Sequence, residues 1–141
     1  MIRREFALVA HFKCTMEKLK DKYVLIVDDD APNTFALSSY LQSMDMKVRI
    51  AANGLEALKM LELHGRPEVI LLDIVMPVMD GYKTMEALQQ NLTLKTIPII
   101  VVTAKALKGD KEKCLEAGAW DYLPKPIDVK ILINKLNNWI V

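Results

Sequence analysis

At 141 residues, 52% hydrophobic and 26% charged, the chain has the balance of one globular domain large enough to bury a core. Nineteen basic residues against eighteen acidic ones leave a net charge of +1, and no basic stripe interleaved with aromatics marks a nucleic-acid surface. Cys14 and Cys114 lie a hundred residues apart with no Cys-x-x-Cys spacing. Arithmetic allows one disulfide, but the rest of the chain favours reduced thiols and a cytoplasmic location. The longest apolar runs are strand-sized, far short of a membrane span.

Residues 1–21 stand outside the rhythm that follows. Ile2, Phe6, Val9, Phe12, Met16 and Leu19 keep a helical spacing, so a short amphipathic helix is one expectation. A leader or linker, or vector-derived residues before a natural start at Met16, is the plainer one. The first ten residues lack the cleavage site of a signal peptide.

Residues 23–27, 69–72 and 97–102 are short apolar runs rich in β-branched side chains. Unbroken apolarity in a strand means that both faces are covered, as in a parallel sheet between helices. Val48, Arg49 and Ile50 alternate, as a half-exposed edge strand should, and residues 120–123 are a fifth candidate. Helical periods separate these runs: Leu37, Leu41 and Met44; Tyr82, Met85 and Leu88; Val129, Leu132, Leu136 and Ile140. Gly65 with Pro67 stops the second helix, and Gly118 stops the fourth. The alternation predicts a doubly wound α/β sandwich, a (βα)5 unit with five parallel strands over residues 22–141.

In such a sheet, ligands bind beyond the carboxyl ends of the strands, where the winding reverses. The first strand runs into Asp28, Asp29 and Asp30, the third into Asp73, the fourth into Thr103 and Ala104, and the fifth is followed by Lys125 and Pro126. Any one of these taken alone reads as a helix N-cap or a solvated surface charge. Together, carboxylates crowded on one rim repel one another unless cations neutralise them. Mg²⁺ with oxygen ligands does so, and Lys125 adds a second positive centre.

Four segments, Val27-Asp28-Asp29, residues 71–81 from Leu71 through Asp73 and Pro77 to Gly81, Val102-Thr103-Ala104, and residues 121–126 with Lys125-Pro126, together resemble the receiver domain of bacterial response regulators. The resemblance covers about residues 22–141 and implies the flavodoxin-like fold. It implies that Asp73 accepts a phosphoryl group from a partner phosphohistidine, and that Asp28, Asp29, Asp73 and the Val75 backbone carbonyl hold Mg²⁺ (or Mn²⁺). Thr103 and Lys125 would contact the phosphoryl oxygens, Ala104 would leave room for them, and Lys125-Pro126 would be cis. Tyr122 matches the family's switch aromatic, which responds when Thr103 moves; a half-buried strand tyrosine is its plainer reading. In a strand, Trp120 would share a face with Tyr122.

The resemblance implies a histidine kinase or a histidine phosphotransfer domain as partner, with no nucleic acid or membrane contact by this domain and room for a homodimer through the last helices. The domain would catalyse only its own phosphorylation and dephosphorylation. It would be a stand-alone receiver or the terminal receiver of a hybrid sensor kinase; residues 103–110 and 116–118 look more like the latter. One rival is a haloacid-dehalogenase-like phosphatase, because Asp28-Asp29-Asp30 satisfies a bare Asp-x-Asp; those enzymes place the nucleophile on the first strand. The other is a non-phosphorylated receiver-like binding module, which would be expected to lack some of these residues. Dinucleotide and P-loop glycine motifs are absent. His11 and His64 have no metal-ligand company, so the phosphoryl donor lies on another molecule or domain.

Overall fold

The computed structural model describes residues 18–104 and 109–140. Five strands, β1 (Tyr23–Val27), β2 (Lys47–Ala51), β3 (Val69–Leu72), β4 (Ile99–Thr103) and β5 (Asp121–Pro124), alternate with α1 (Ala31–Ser43), α2 (Gly54–His64), α3 (Gly81–Gln89), α4 (Asp110–Glu116) and α5 (Val129–Trp139). The strands form one parallel sheet in the order β2-β1-β3-β4-β5. The chain leaves β1 toward β2 and returns on its other side as β3. The reversal therefore lies between β1 and β3, and the crevice at their carboxyl ends is where such a sheet binds ligands.

The unbroken apolar runs are explained by two cores. Alternate strand residues point to opposite faces. Leu25, Val27, Ile70, Leu72, Ile99 and Val101 meet α2, α3 and α4 through Leu61, Met85, Leu88 and Cys114. Val24, Ile26, Val69, Leu71, Ile100 and Val102 meet α1 and α5 through Leu37, Leu41, Leu132 and Leu136. Most of these side chains are fully buried, and each contributes about 1.5–3 kcal/mol of hydrophobic stabilisation. Edge strand β2 exposes Lys47 and Arg49 while half-burying Val48 and Ile50, as its alternation predicted.

Side-chain caps fix four of the five helix starts; α4 follows Gly109 without one. Asp30 accepts from Asn33 N, Asn53 from Glu56 N, Asp80 from Lys83 N, and Asp128 from Lys130 N and Ile131 N. Gly65, at φ 81°, ends α2 in a conformation that a side chain would resist.

Two strand boundaries differ from the sequence expectation. β4 starts at Ile99, because Pro98 has no N–H for the ladder, and it runs through Thr103. β5 starts at Asp121, so Trp120 lies outside the strand and does not share a face with Tyr122. Tyr122 packs against the core under α2, α3 and α4. The Trp120 ring instead meets Trp139 of α5 edge-on, with centroids 5.3 Å apart.

Of the segment 1–21, only residues 18–21 are described; the helix expected from its earlier spacing falls outside them, as does Cys14. Leu19 is fully buried in the α1/α5 core, and Lys18 Nζ donates to Asn137 O of α5 at 2.6 Å. Asp21 N donates to Asp45 O at 2.8 Å. Among the described residues, no helix is long and apolar enough to cross a membrane.

Candidate functional site

The rim at the carboxyl ends of β1 and β3 is built by backbone register. β1 and β3 pair up to Val27 and Leu72, and Asp73 N donates to Val27 O at 2.9 Å. Asp28, Asp29 and Asp73 each offer a carboxylate oxygen, and these oxygens lie within 4.8 Å of one another. Asp28 and Asp73 are buried, whereas Asp29 is exposed and faces water. Asp30 does not join them. Its side chain caps α1, the ordinary use of an aspartate after a strand.

β5 delivers the cation. Lys125 N donates to Thr103 O at 3.0 Å, which ties the residue to the end of β4. The Lys125-Pro126 bond is cis. From there Lys125 Nζ reaches Asp28 Oδ2 at 2.7 Å and Asp73 Oδ2 at 3.3 Å. The other oxygen of Asp73, Oδ1, accepts from Ile74 N at 2.7 Å, and Asp28 Oδ1 accepts from Asp30 N at 3.0 Å.

These contacts set the charge states. Burial pushes the Asp73 carboxyl above its ordinary value, Lys125 pulls it back, and the neighbouring Asp28 charge adds to the rise. For Lys125, burial works against the charged form. Its hydrogen bond to Asp28 and the charges of Asp28 and Asp73 outweigh that, and its pKa ends above the usual lysine value.

The donor set fits a divalent ion. Three carboxylates and one ammonium leave the cluster at −2 when all are ionised, and hard oxygen ligands with one exposed side suit Mg²⁺ and its retained waters. Around the cluster, Thr103 is buried at the end of β4 and Ala104 is exposed beside it. Val75 is largely exposed in the loop after β3. Tyr122 lies half-buried on β5, the strand next to that of Thr103, and burial pushes its hydroxyl pKa up.

Two contributors were not singled out from the sequence. Asn33 Nδ2 donates to Asp28 Oδ2 at 3.4 Å from the first turn of α1. Gly81 approaches so closely that a Cβ there would collide with Asp73 O and with Ile74. An Asn in a helix carries no sequence signal for the first. Gly81 sits inside the quoted motif, but its steric role needs coordinates.

Comparison with known proteins identifies the family. The chain is 34% identical over 119 residues to the polar-differentiation response regulator DivK of Brucella anthropi, covering 84% of this chain and 96% of DivK. It is 36% identical to the ycf29 protein of Pyropia yezoensis over 83% of this chain, and so spans about half of that relative's length (52%). Among solved structures it superposes on the receiver domain of the sensor histidine kinase PA1611 from Pseudomonas aeruginosa PAO1, which has a magnesium ion coordinated in its active-site cleft. The TM-score is 0.78 at 36% identity, covering 85% of this chain and 98% of that one. It also superposes on the receiver domain of Ssk1 from Saccharomyces cerevisiae, solved with the histidine phosphotransfer protein Ypd1. There the TM-score is 0.78 at 27% identity, over 86% and 90% of the two chains. Residues 24–137 match the response regulator receiver domain, and the chain belongs to that family of two-component signalling domains.

Proposed function

We infer that Asp73 is the phosphoacceptor of this receiver, taking a phosphoryl group from a phosphohistidine on a partner protein. The observation that carries the reading is the convergence of Asp28, Asp29 and Asp73 around one ammonium, Lys125, at the point where the sheet's winding reverses. A structural cluster would pair its charges. Among the described residues, this one leaves two negative charges uncompensated next to an exposed face.

In the transfer, an ionised Asp73 oxygen attacks phosphorus. The O–P bond forms as the P–N bond to imidazole breaks, and the leaving nitrogen keeps the bonding pair and takes a proton. Charge spreads over the phosphoryl oxygens, so positioning and positive charge do most of the work. Lys125 already faces Asp73 Oδ2 and needs only a small displacement to meet a phosphoryl oxygen. The Thr103 hydroxyl donates to another, and exposed Ala104 leaves the approach open. Asp28, Asp29, Asp73 and the Val75 carbonyl would hold Mg²⁺, or Mn²⁺ with the same oxygen ligands. Bound there, the ion would supply electrostatic stabilisation of the phosphoryl oxygens.

The donor is a histidine kinase or a histidine phosphotransfer domain, by similarity to the Ssk1 receiver that binds Ypd1. Thr103 and Tyr122 form the switch: Thr103 senses the phosphoryl group and Tyr122 repacks in response. This assigns the work to residues 22–141 in the cytoplasm, with residues 18–21 packed on that domain and residues 1–17 as a leader or linker.

Intact-mass spectrometry tests the assignment. With a small-molecule phosphodonor and Mg²⁺, the wild type gains one phosphoryl group and Asp73→Asn gains none at that site. Equal, stable phosphorylation of Asp73→Asn would overturn it.

A further inference from the structure

The loop from Ile74 to Asp80 joins Asp73 to α3 and contains Val75, yet its shape is not one the backbone favours. Val78 adopts φ 67°, a left-handed conformation that β-branched residues strongly resist. Such a residue persists only where the surroundings over-determine it. Part of that constraint is local: Met79 N donates to Pro77 O at 2.7 Å and Gly81 N to Ile74 O at 2.9 Å. The rest comes from another element. Gly54, the first residue of α2, donates its N–H to Met79 O at 3.2 Å.

Gly54 has no positive φ, so the backbone there does not require glycine. Contact does. A Cβ at Gly54 would collide with Thr84 Oγ1 and lie 2.8 and 2.9 Å from Cγ and Sδ of Met79. Thr84 in α3 is buried at 1% exposure, and its hydroxyl donates to Asp80 O at 2.7 Å. The absent Cβ at Gly54 therefore leaves the space that the Thr84 hydroxyl occupies in its present rotamer. That rotamer bonds the carbonyl of Asp80, whose side chain caps α3 and closes the loop.

We propose that Gly54 and Thr84 form a latch between α2 and α3 that holds the loop after Asp73 in its working shape. Both are positioning residues for phosphoryl acceptance, an inference that rests on Asp73 as the acceptor. Neither touches the carboxylate cluster; they act through Met79 and Asp80.

The test uses the full chain and two readouts: Mg²⁺ affinity by calorimetry without phosphodonor, and the rate of phosphorylation by a small-molecule donor. Gly54→Ala is expected to weaken Mg²⁺ binding about tenfold and slow phosphorylation by about 10–100-fold, the scale of a roughly 1 Å misplacement. Gly54→Ala combined with Thr84→Ala removes the colliding hydroxyl. It should recover metal affinity to about threefold below wild type, the cost of the lost bond to Asp80, while urea unfolding still shows it less stable than wild type. That split separates positioning from general stability. If Gly54→Ala does not fold, Thr84→Val keeps the side-chain shape and removes only the bond to Asp80; it should weaken Mg²⁺ binding about threefold. Wild-type affinity in the folded variants, or no recovery in the double variant, would overturn the latch. A wild type that binds Mg²⁺ but takes no phosphoryl group would instead overturn the acceptor assignment, and the metal titration would still decide the latch.

Discussion

The two ends of β5 carry the same chemical types in opposite states. At its start, Asp121 accepts from Lys135 Nζ at 2.7 Å, Trp139 Nε1 at 3.0 Å and Tyr122 N at 2.8 Å. Burial raises its carboxyl pKa, but the hydrogen bonds from Lys135, Trp139 and Tyr122 N outweigh that, and it ends below its ordinary value. Just past the other end, Lys125 faces Asp28 and Asp73, with Asp29 close by, and the Asp73 carboxyl is pushed up. One aspartate is fully served by its neighbours and pins α5 to the sheet. Among the described residues, the other shares a single cation with competing carboxylates. An aspartate–lysine pair thus marks structure where donors match acceptors, and chemistry where acceptors are in excess.

The largest effect should come from removing the cation at the crowded end. Lys125→Ala is expected to slow phosphorylation by a small-molecule donor by about 100-fold or more, the scale of losing one preorganised charge donor. Lys135→Ala, at the satisfied end, should leave that rate within about twofold, since it touches nothing on the rim. Equal losses in both variants would dissolve the distinction.

Metal binding should sharpen it further. At a Mg²⁺ concentration of about 100 times Kd, the wild type gains roughly 2.7 kcal/mol in thermal or urea unfolding. Asp29→Asn should lose most of that gain, whereas Asp121→Asn should keep all of it. An unchanged gain in Asp29→Asn would put the ion elsewhere.

Without metal, the two aspartates should respond with opposite signs. Asp121→Asn removes a charge-assisted hydrogen bond and should cost about 1–2 kcal/mol. Because the folded state lowers the Asp121 pKa, this stabilisation is present above its ordinary value of 3.8 and is lost as pH falls through the lower folded value. The wild type and Asp121→Asn should therefore converge in urea unfolding below about pH 4. Asp73→Asn relieves carboxylate crowding while Lys125 keeps Asp28, so at pH 7 it should stabilise the metal-free protein by roughly 1 kcal/mol. Destabilisation by Asp73→Asn would mean that the rim is as well matched as Asp121.

The smallest effect concerns the switch. With beryllofluoride and Mg²⁺ bound, NMR shifts should reach Tyr122 and shrink in Thr103→Ala, because Tyr122 lies in the core next to β4. Trp120 should respond less, since its ring is held on Trp139 at the opposite end of β5. Shifts confined to the immediate surroundings of Asp73 would make the domain a relay without this switch.

Much of this was already legible in the residue order. Apolar runs at 23–27 and 69–72 required strands covered on both faces, and β-branched density with helical spacing between them left little but a doubly wound sheet. The motif residues Asp28, Asp29, Asp73, Thr103 and Lys125 were placed on one rim by the rule that loops after parallel strands share an edge. These features are periodic or local, so they survive in one dimension. What the tertiary structure alone decided is where side chains distant in sequence meet. Asp30 became a cap while Asp28 and Asp29 did not, because α1 begins at Ala31. Trp120 turned to α5 because the β4–β5 register starts one residue later than its apolar run. Lys125 spans to Asp28 and Asp73, and Gly54 makes room for Thr84, through contacts between residues far apart in the chain. Tight packing depends on distances of a few tenths of an ångström between such residues, and the order of residues along the chain does not encode them.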